Sequence, residues 1–120
     1  MVSLTPHTQA VLAALLRDAD EPQYGLEIAK TAGLASGTLY PILARLERQR
    51  WVESEWEQID ESTEGRRRRR YYRLTGEGAR AARAELEATA ERLRTALEPV
   101  PRSASTRIGF GVRAADGGFA

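Results

Sequence analysis

Two short stretches of the chain carry residue types suited to meeting a polyanion. The first, Ser36–Arg50 (SGTLYPILARLERQR), opens with Ser36, Gly37, Thr38, Tyr40 and Pro41. Three of these bear hydroxyls, and Gly37 lets the backbone come close to a surface. Behind them Leu39, Ile42, Leu43 and Leu46 recur at the spacing of one helical face. Such a helix buries its rear and offers an N-terminus whose unpaired N–H groups and macrodipole favour phosphate. The second stretch is the run Arg66–Arg70, with Arg73 close behind. Arginines on a hairpin lie on a phosphate backbone or enter a narrow minor groove. No Asn or Arg stands at the front of the helix to make bidentate base contacts. Phosphate positioning and duplex shape are therefore expected to supply much of the specificity.

The same inventory excludes other chemistry. The chain has no cysteine, which removes disulfides, thiolate catalysis and cysteine-held metals. His7 is the only histidine and cannot make a zinc site alone. Neither a nucleophile–base pair nor a phosphate-cradling glycine loop is present, and the acids of residues 53–64 alternate along an exposed strand, too far in solvent to tune one another. No enzymatic activity and no cofactor are expected. No window approaches eighteen apolar residues, so no membrane span is expected. The opening MVSLTPHTQ has no basic run followed by an apolar core, so no secretory signal is expected and a cytoplasmic location follows.

At 120 residues the chain has room for a modest core. Its net charge of +1 hides a strong division. Residues 53–64 hold six acids and no base, and residues 66–73 hold six arginines and no acid. Exposed pairs between the two arms contribute about 0–1 kcal/mol each. Arg66, Arg67 and Arg68, read as nearest the tip, are assigned to DNA. Lys30, Arg45 and Arg48 are secondary phosphate candidates.

The elements that must hold these residues follow from local pattern. Thr5-Pro6 caps and starts a helix that runs to about Arg17, apolar on nearly every side over Val11–Leu16. Asp18–Gln23 reads as a loop. Tyr24 to Ala32 reads as a second helix ended by a left-handed Gly33. The third helix starts between Ser36 and Thr38, with Thr38 the better cap for Pro41. Trp51–Ile59 alternates as a half-buried strand, Asp60–Gly65 turns, and Arg66–Leu74 returns as the second arm of a β-hairpin. Tyr71 and Tyr72 point to opposite faces, one to the core and one to the surface. Thr75 caps a long helix from Gly76 to about Glu98, ended by Pro99 and Pro101. Its stripe of Ala79, Ala82, Leu86, Leu93 and Leu97 exceeds what so small a domain can cover, so it is expected to pair with its copy. Leu12 and Leu16 of the first helix join Leu86, Leu93 and Leu97 as the expected dimer interface. The fold class is thus mainly α with a small β-hairpin. Residues 1–74 form a winged helix-turn-helix DNA-binding domain, 75–98 a dimerisation helix, and 99–120 a disordered tail with some order near Ile108–Val112.

Particular residues carry a resemblance. Tyr24-Gly25-Leu26-Glu27-Ile28, Gly37-Thr38-Leu39-Tyr40-Pro41-Ile42-Leu43 with Arg45-Leu46-Glu47, Trp51-Val52 leading to Trp56-Glu57, and Tyr71-Tyr72-Arg73-Leu74-Thr75 with Glu77-Gly78 follow in order. Over residues 4–98 the chain resembles the PadR family of bacterial transcriptional regulators. The resemblance implies a homodimeric repressor on a palindromic operator, released in some members by a small aromatic or drug-like ligand. Two positions depart from the family pattern. Arg50 stands where a glycine is usual, and a left-handed backbone there costs about 1 kcal/mol. The ligand-stacking tryptophan that some relatives carry on the last helix is missing, since Trp51 and Trp56 both belong to the first arm of the hairpin. The rival expectation is a winged-helix module that binds protein rather than DNA, through the acidic strand and the long helix.

Overall fold

Hydroxyls and one left-handed arginine set the helix ends that frame the molecule. The structure, a computed structural model, describes residues 4–101. Helix α1 (Pro6–Leu16) is capped by Thr5, whose side chain accepts the Thr8 N–H. Strand β1 (Gln23–Tyr24) leads into α2 (Gly25–Ala32), where Glu27 accepts the Tyr24 N–H at 3.0 Å and Gly33 closes the helix with φ 72°. Helix α3 (Ser36–Arg48) is followed by β2 (Val52–Trp56), the short α4 (Glu61–Glu64), β3 (Arg70–Leu74) and the long α5 (Gly76–Leu97).

The sheet differs from the expected hairpin. It has three antiparallel strands in the order β1-β3-β2. Strand β3 is central, pairing Tyr24 with Tyr71 on one side and Trp56 with Arg70 on the other. Strand β1 joins Gln23, read as the end of a loop, to Tyr24, read as the start of the second helix, which instead begins at Gly25. At two residues it is too short for alternation to register, and it pairs with the facing Tyr71 and Tyr72. Both long arms are shorter than expected, ending at Trp56 and starting at Arg70. The intervening turn contains α4, capped by Asp60, whose carboxylate accepts from the Ser62 N–H at 3.0 Å.

The core is one layer of helices on one face of the sheet. Val11, Leu12 and Leu15 of α1 meet Ile28 of α2, with Leu39, Ile42, Leu43 and Leu46 of α3. Val52, Tyr72 and Leu74 close it from the sheet, and Ala82 from α5. The four α3 positions expected to be buried are buried. Tyr72 faces the core, while Tyr71 packs edge-on against Tyr24 at the surface.

Helix α3 ends in a Schellman motif. The Trp51 N–H reaches the Leu46 carbonyl and the Arg50 N–H the Glu47 carbonyl, both at 3.0 Å. This places Arg50 in the left-handed region, with φ 64°. The Thr75 hydroxyl donates to the Arg50 carbonyl at 2.8 Å, tying the turn to the start of α5. The turn thus keeps the geometry a glycine would favour and bears the strain. Arg50→Gly is expected to stabilise the chain by about 0.5–1 kcal/mol, the relief of the left-handed strain less the entropy glycine returns to the unfolded state. Thermal unfolding checks this; an unchanged or lower midpoint contradicts it.

Thr75 also caps α5, accepting the Gly78 N–H at 2.9 Å. A Cβ on Gly78 would lie 2.0 Å from the Trp51 carbonyl oxygen, so only glycine lets α5 cross here. The first turns of α5 rest on the core through Gly78, Ala79, Ala82 and Leu86. Beyond them Leu93 and Leu97 are 60% and 83% exposed.

Candidate nucleic-acid interface

The front of α3 is built to be open. Its N-cap is Ala35, not Thr38 as the sequence suggested, and no side chain caps it. The Ala35 carbonyl takes the Thr38 and Leu39 N–H groups, both at 3.0 Å. The Ser36 and Gly37 N–H groups precede Thr38, the first helical donor, and both residues are exposed. Pro41 is the sixth residue of the helix rather than part of its first turn. It gives no N–H to the Gly37 carbonyl, so the front turn is held more loosely than the rest. A Cβ on Gly37 would meet nothing within 4 Å, so the fold does not demand glycine there. Thr38 is half-buried and Pro41 exposed. Tyr40 leans back over α2: its hydroxyl lies 2.1 Å from where a Cβ on Gly25 would be, which explains the glycine.

The wing arginines are divided by the acids around them. Residues 66–68 do not form the tip, which is the acidic helix α4 with Asp60, Glu61 and Glu64. Arg66 folds back on Glu57 with a two-pronged contact at 2.7 and 2.9 Å. Glu57 also accepts the Arg69 N–H at 3.2 Å, and its own N–H donates to the Arg69 carbonyl at 2.8 Å. Glu61 accepts the Arg68 N–H at 2.7 Å and stands 4.0 Å from its guanidinium. Arg73 pairs with Glu53 at 2.8 Å across the sheet. Arg70 lies 3.8 Å from Glu47 and over the Trp56 ring, and Arg69 lies over the Tyr24 ring. Arg67 is exposed and Arg69 half-buried, and neither makes a side-chain ion pair among the described residues.

Glu57 is the fastener of this loop. The Arg66 guanidinium, helped by the Arg69 N–H, holds its carboxyl down at about 2 against a partial desolvation that pushes the other way. The folded value lies below the ordinary carboxylate value, so the contribution to stability is complete above about 4.5 and is lost as pH falls through about 2. The wing is therefore expected to keep one geometry between pH 5 and 8. A carboxyl NMR titration should find Glu57 changing near pH 2; a midpoint near 4.5 would contradict the Arg66 contact.

Of the helix-front candidates Tyr40 reaches the wing; Ser36, Gly37, Thr38, Pro41, Arg66 and Arg67 do not line the cleft it shares with the wing. Tyr40 of α3, the start of α2, Trp56 and Arg68 to Arg70 line a single cleft. Sequence reasoning missed Tyr24, Leu26, Trp56, Arg69 and Arg70 as members of this face. Strand alternation offered a signal for two of them, because it sets Trp56 directly opposite Arg70. Lys30 and Arg48 are exposed and Arg45 is half-buried. Leu12 is fully buried in its own domain and offers nothing to a partner; Leu16 and Leu86 pack against the same core and stay half-covered. The part of the expected tail at 102–120 lies outside the described residues.

Three helices, a wing and a long terminal helix define the winged helix-turn-helix class. A family model for the PadR-like transcriptional regulators matches residues 11–84. The chain belongs to that family. A PadR-like transcription factor from Bacteroides fragilis is 32% identical, with 75% of this chain and 84% of that one covered and a TM-score of 0.58. A PadR family regulator from Eggerthella lenta is 30% identical, with 79% and 87% covered and a TM-score of 0.58. One from Clostridium difficile is 26% identical, with 78% and 100% covered and a TM-score of 0.59. No curated protein matches the chain by sequence. The chain is a DNA-binding transcriptional regulator by family, not an enzyme. No helix among the described residues is long and apolar enough to cross a membrane.

Proposed function

We propose that the chain acts in the cytoplasm as a homodimeric repressor on a palindromic operator. The fronts of two α3 helices enter successive major grooves, where Ser36, Gly37, Thr38, Tyr40 and Pro41 meet phosphates and base edges. The wings lie on the flanking backbone through Arg67, Arg68 and Arg69, braced by Arg66 on Glu57. Residues 1–74 bind DNA and the helix that follows pairs the two copies. Release by a small aromatic ligand would need a site other than a tryptophan on α5, which has none.

The observation that supports this most is the shared cleft, because it sets Tyr40 and the wing arginines on a common side. The exposed end of α5 supports the pairing, since Leu93 and Leu97 have no cover within the chain. Footprinting the protein on DNA upstream of its own gene tests the proposal. The expected result is two protected half-sites related by a two-fold axis, about 34 Å or a multiple of it apart. One unrepeated protected site would contradict the dimeric arrangement, and no protection would contradict autoregulation through that site.

A further inference from the structure

The inward-facing pairs of the β2–β3 ladder change character along its length. Val52 opposite Leu74 is buried in the core, Ser54 lies opposite the buried Tyr72, and Trp56 opposite Arg70 lies outside the core. Apolar packing therefore holds the near end of the ladder against α3 and leaves the wing end uncovered. Glu47 stands at that boundary. It is half-buried on the last turn of α3, and its carboxylate accepts from the Ser54 hydroxyl at 2.7 Å and lies 3.8 Å from the Arg70 guanidinium. One carboxylate thus ties α3 to both strands. Among the described residues no other side chain of α3 makes a hydrogen bond or an ion pair with the sheet. Arg70 is steadied from its other side by the Trp56 ring, 5.1 Å away. Burial pushes the Tyr72 phenol above its ordinary value, Arg70 opposes that push, and Tyr40 and Glu47 add to it, so these side chains act on one another as a group. The contact of Arg69 with the Tyr24 ring ties the wing to β1 and not to α3.

We propose that Glu47 is a positioning residue for DNA binding: it fixes the wing relative to α3, so that helix front and wing reach one duplex together. The consequence for DNA rests on the proposed function; the tie between Glu47 and the wing does not. Without the charge at residue 47, Arg70 keeps only its place on the Trp56 ring, and the outer ladder pivots beyond the Ser54–Tyr72 pair. Helix and wing then engage the duplex as two loosely joined units, and the wing contacts lose the advantage of being held in place beforehand. A carboxylate on a helix that meets a polyanion repels it. Holding the wing offsets that repulsion.

The test compares the full chain with Glu47→Gln, which keeps an acceptor for Ser54 and removes the charge facing Arg70, and with Glu47→Ala, which removes both. In the free ¹⁵N-labelled chains, the amide order parameters of residues 67–70 are expected to fall in both variants, further in Glu47→Ala, while those of Leu39–Leu46 hold. The DNA probe is a labelled duplex from the region upstream of the chain's own gene. Glu47→Gln is expected to weaken its binding about tenfold and to lower the salt slope. The sign is diagnostic, because removing a mere surface carboxylate would raise affinity for a polyanion. In a chain with Arg67, Arg68 and Arg69 all replaced by alanine, Glu47→Gln is expected to change affinity less than about twofold, since no wing contact remains to be positioned. A general loss of stability would cost the same in both backgrounds. Unchanged order parameters in both variants overturn the proposal. Where the triple alanine variant is itself weakened, a Glu47→Gln affinity at or above that of the wild type, or an equal loss in both backgrounds, overturns it too. A triple variant that binds as tightly as the wild type contradicts the placement of the wing on DNA, while lowered order parameters still uphold the tie of Glu47 to the wing, so the two readings fail separately.

Discussion

Replacing Arg67, Arg68 and Arg69 together by alanine is expected to weaken duplex binding about 100-fold at low salt. Three phosphate contacts at about 1 kcal/mol each give that factor. The sharper signature is the salt dependence. Each phosphate neutralised by Lys or Arg adds about 0.9 to the slope of log affinity against log salt, so the triple variant should lose about 2–3 units of slope. Arg66 is left out deliberately. Its guanidinium is engaged by both oxygens of Glu57, so Arg66→Ala would loosen the wing rather than remove one phosphate contact. Anisotropy of a labelled duplex over a salt series reads both quantities. An unchanged affinity and an unchanged slope would remove the wing from the interface.

The second large effect concerns assembly. On the proposed pairing through α5, Leu93→Glu is expected to give a monomer at micromolar concentration where the wild-type chain is a dimer. Leu93 is 60% exposed, and Leu97 one turn on is 83% exposed, on a helix whose first turns alone touch the domain. Placing two carboxylates in the paired apolar seam costs several kcal/mol of desolvation without a partner, enough to exceed a modest dimer affinity. The substitution leaves the domain core untouched, so the monomer should stay folded. Sedimentation or light scattering decides the matter, with circular dichroism as the check on folding. A dimer that persists at micromolar concentration would move the interface off this part of α5. The same experiment on Leu12 would not be informative, because that side chain is inside its own domain.

Much of the frame was legible because it is local. Thr5-Pro6, Gly33 and Thr75 each declare a helix end through their own chemistry, and each stands where that chemistry put it. The stripe Leu39, Ile42, Leu43 and Leu46 needed only the helical period. What could not be read depends on contacts distant in sequence. Strand β1 exists because Tyr71 and Tyr72 lie opposite it, nearly fifty residues on. The charge division at 53–73 was visible, yet which arginine meets which acid was not. The helix α4 inserts a turn that changes the phase between the arms, bringing Arg66 back to Glu57 and leaving the acids at the tip. Leu12 was misplaced for a related reason. A helix apolar all round needs cover on more than one side, and here α2, α5 and α3 of the same chain supply it. Arg50 shows the opposite case, in which the local turn geometry of the family persists although the residue resists it.

The proposed function places two different DNA-reading elements on one face of the chain and presents that face twice. Backbone amide shift mapping of the ¹⁵N-labelled chain with a short duplex tests it most directly. The amides of Ser36, Gly37 and Thr38 and those of residues 66–70 are expected to move together, while the amides of α5 beyond Leu86 stay in place. Shifts confined to α5 or to the acidic outer strand, with the front of α3 silent, would contradict it.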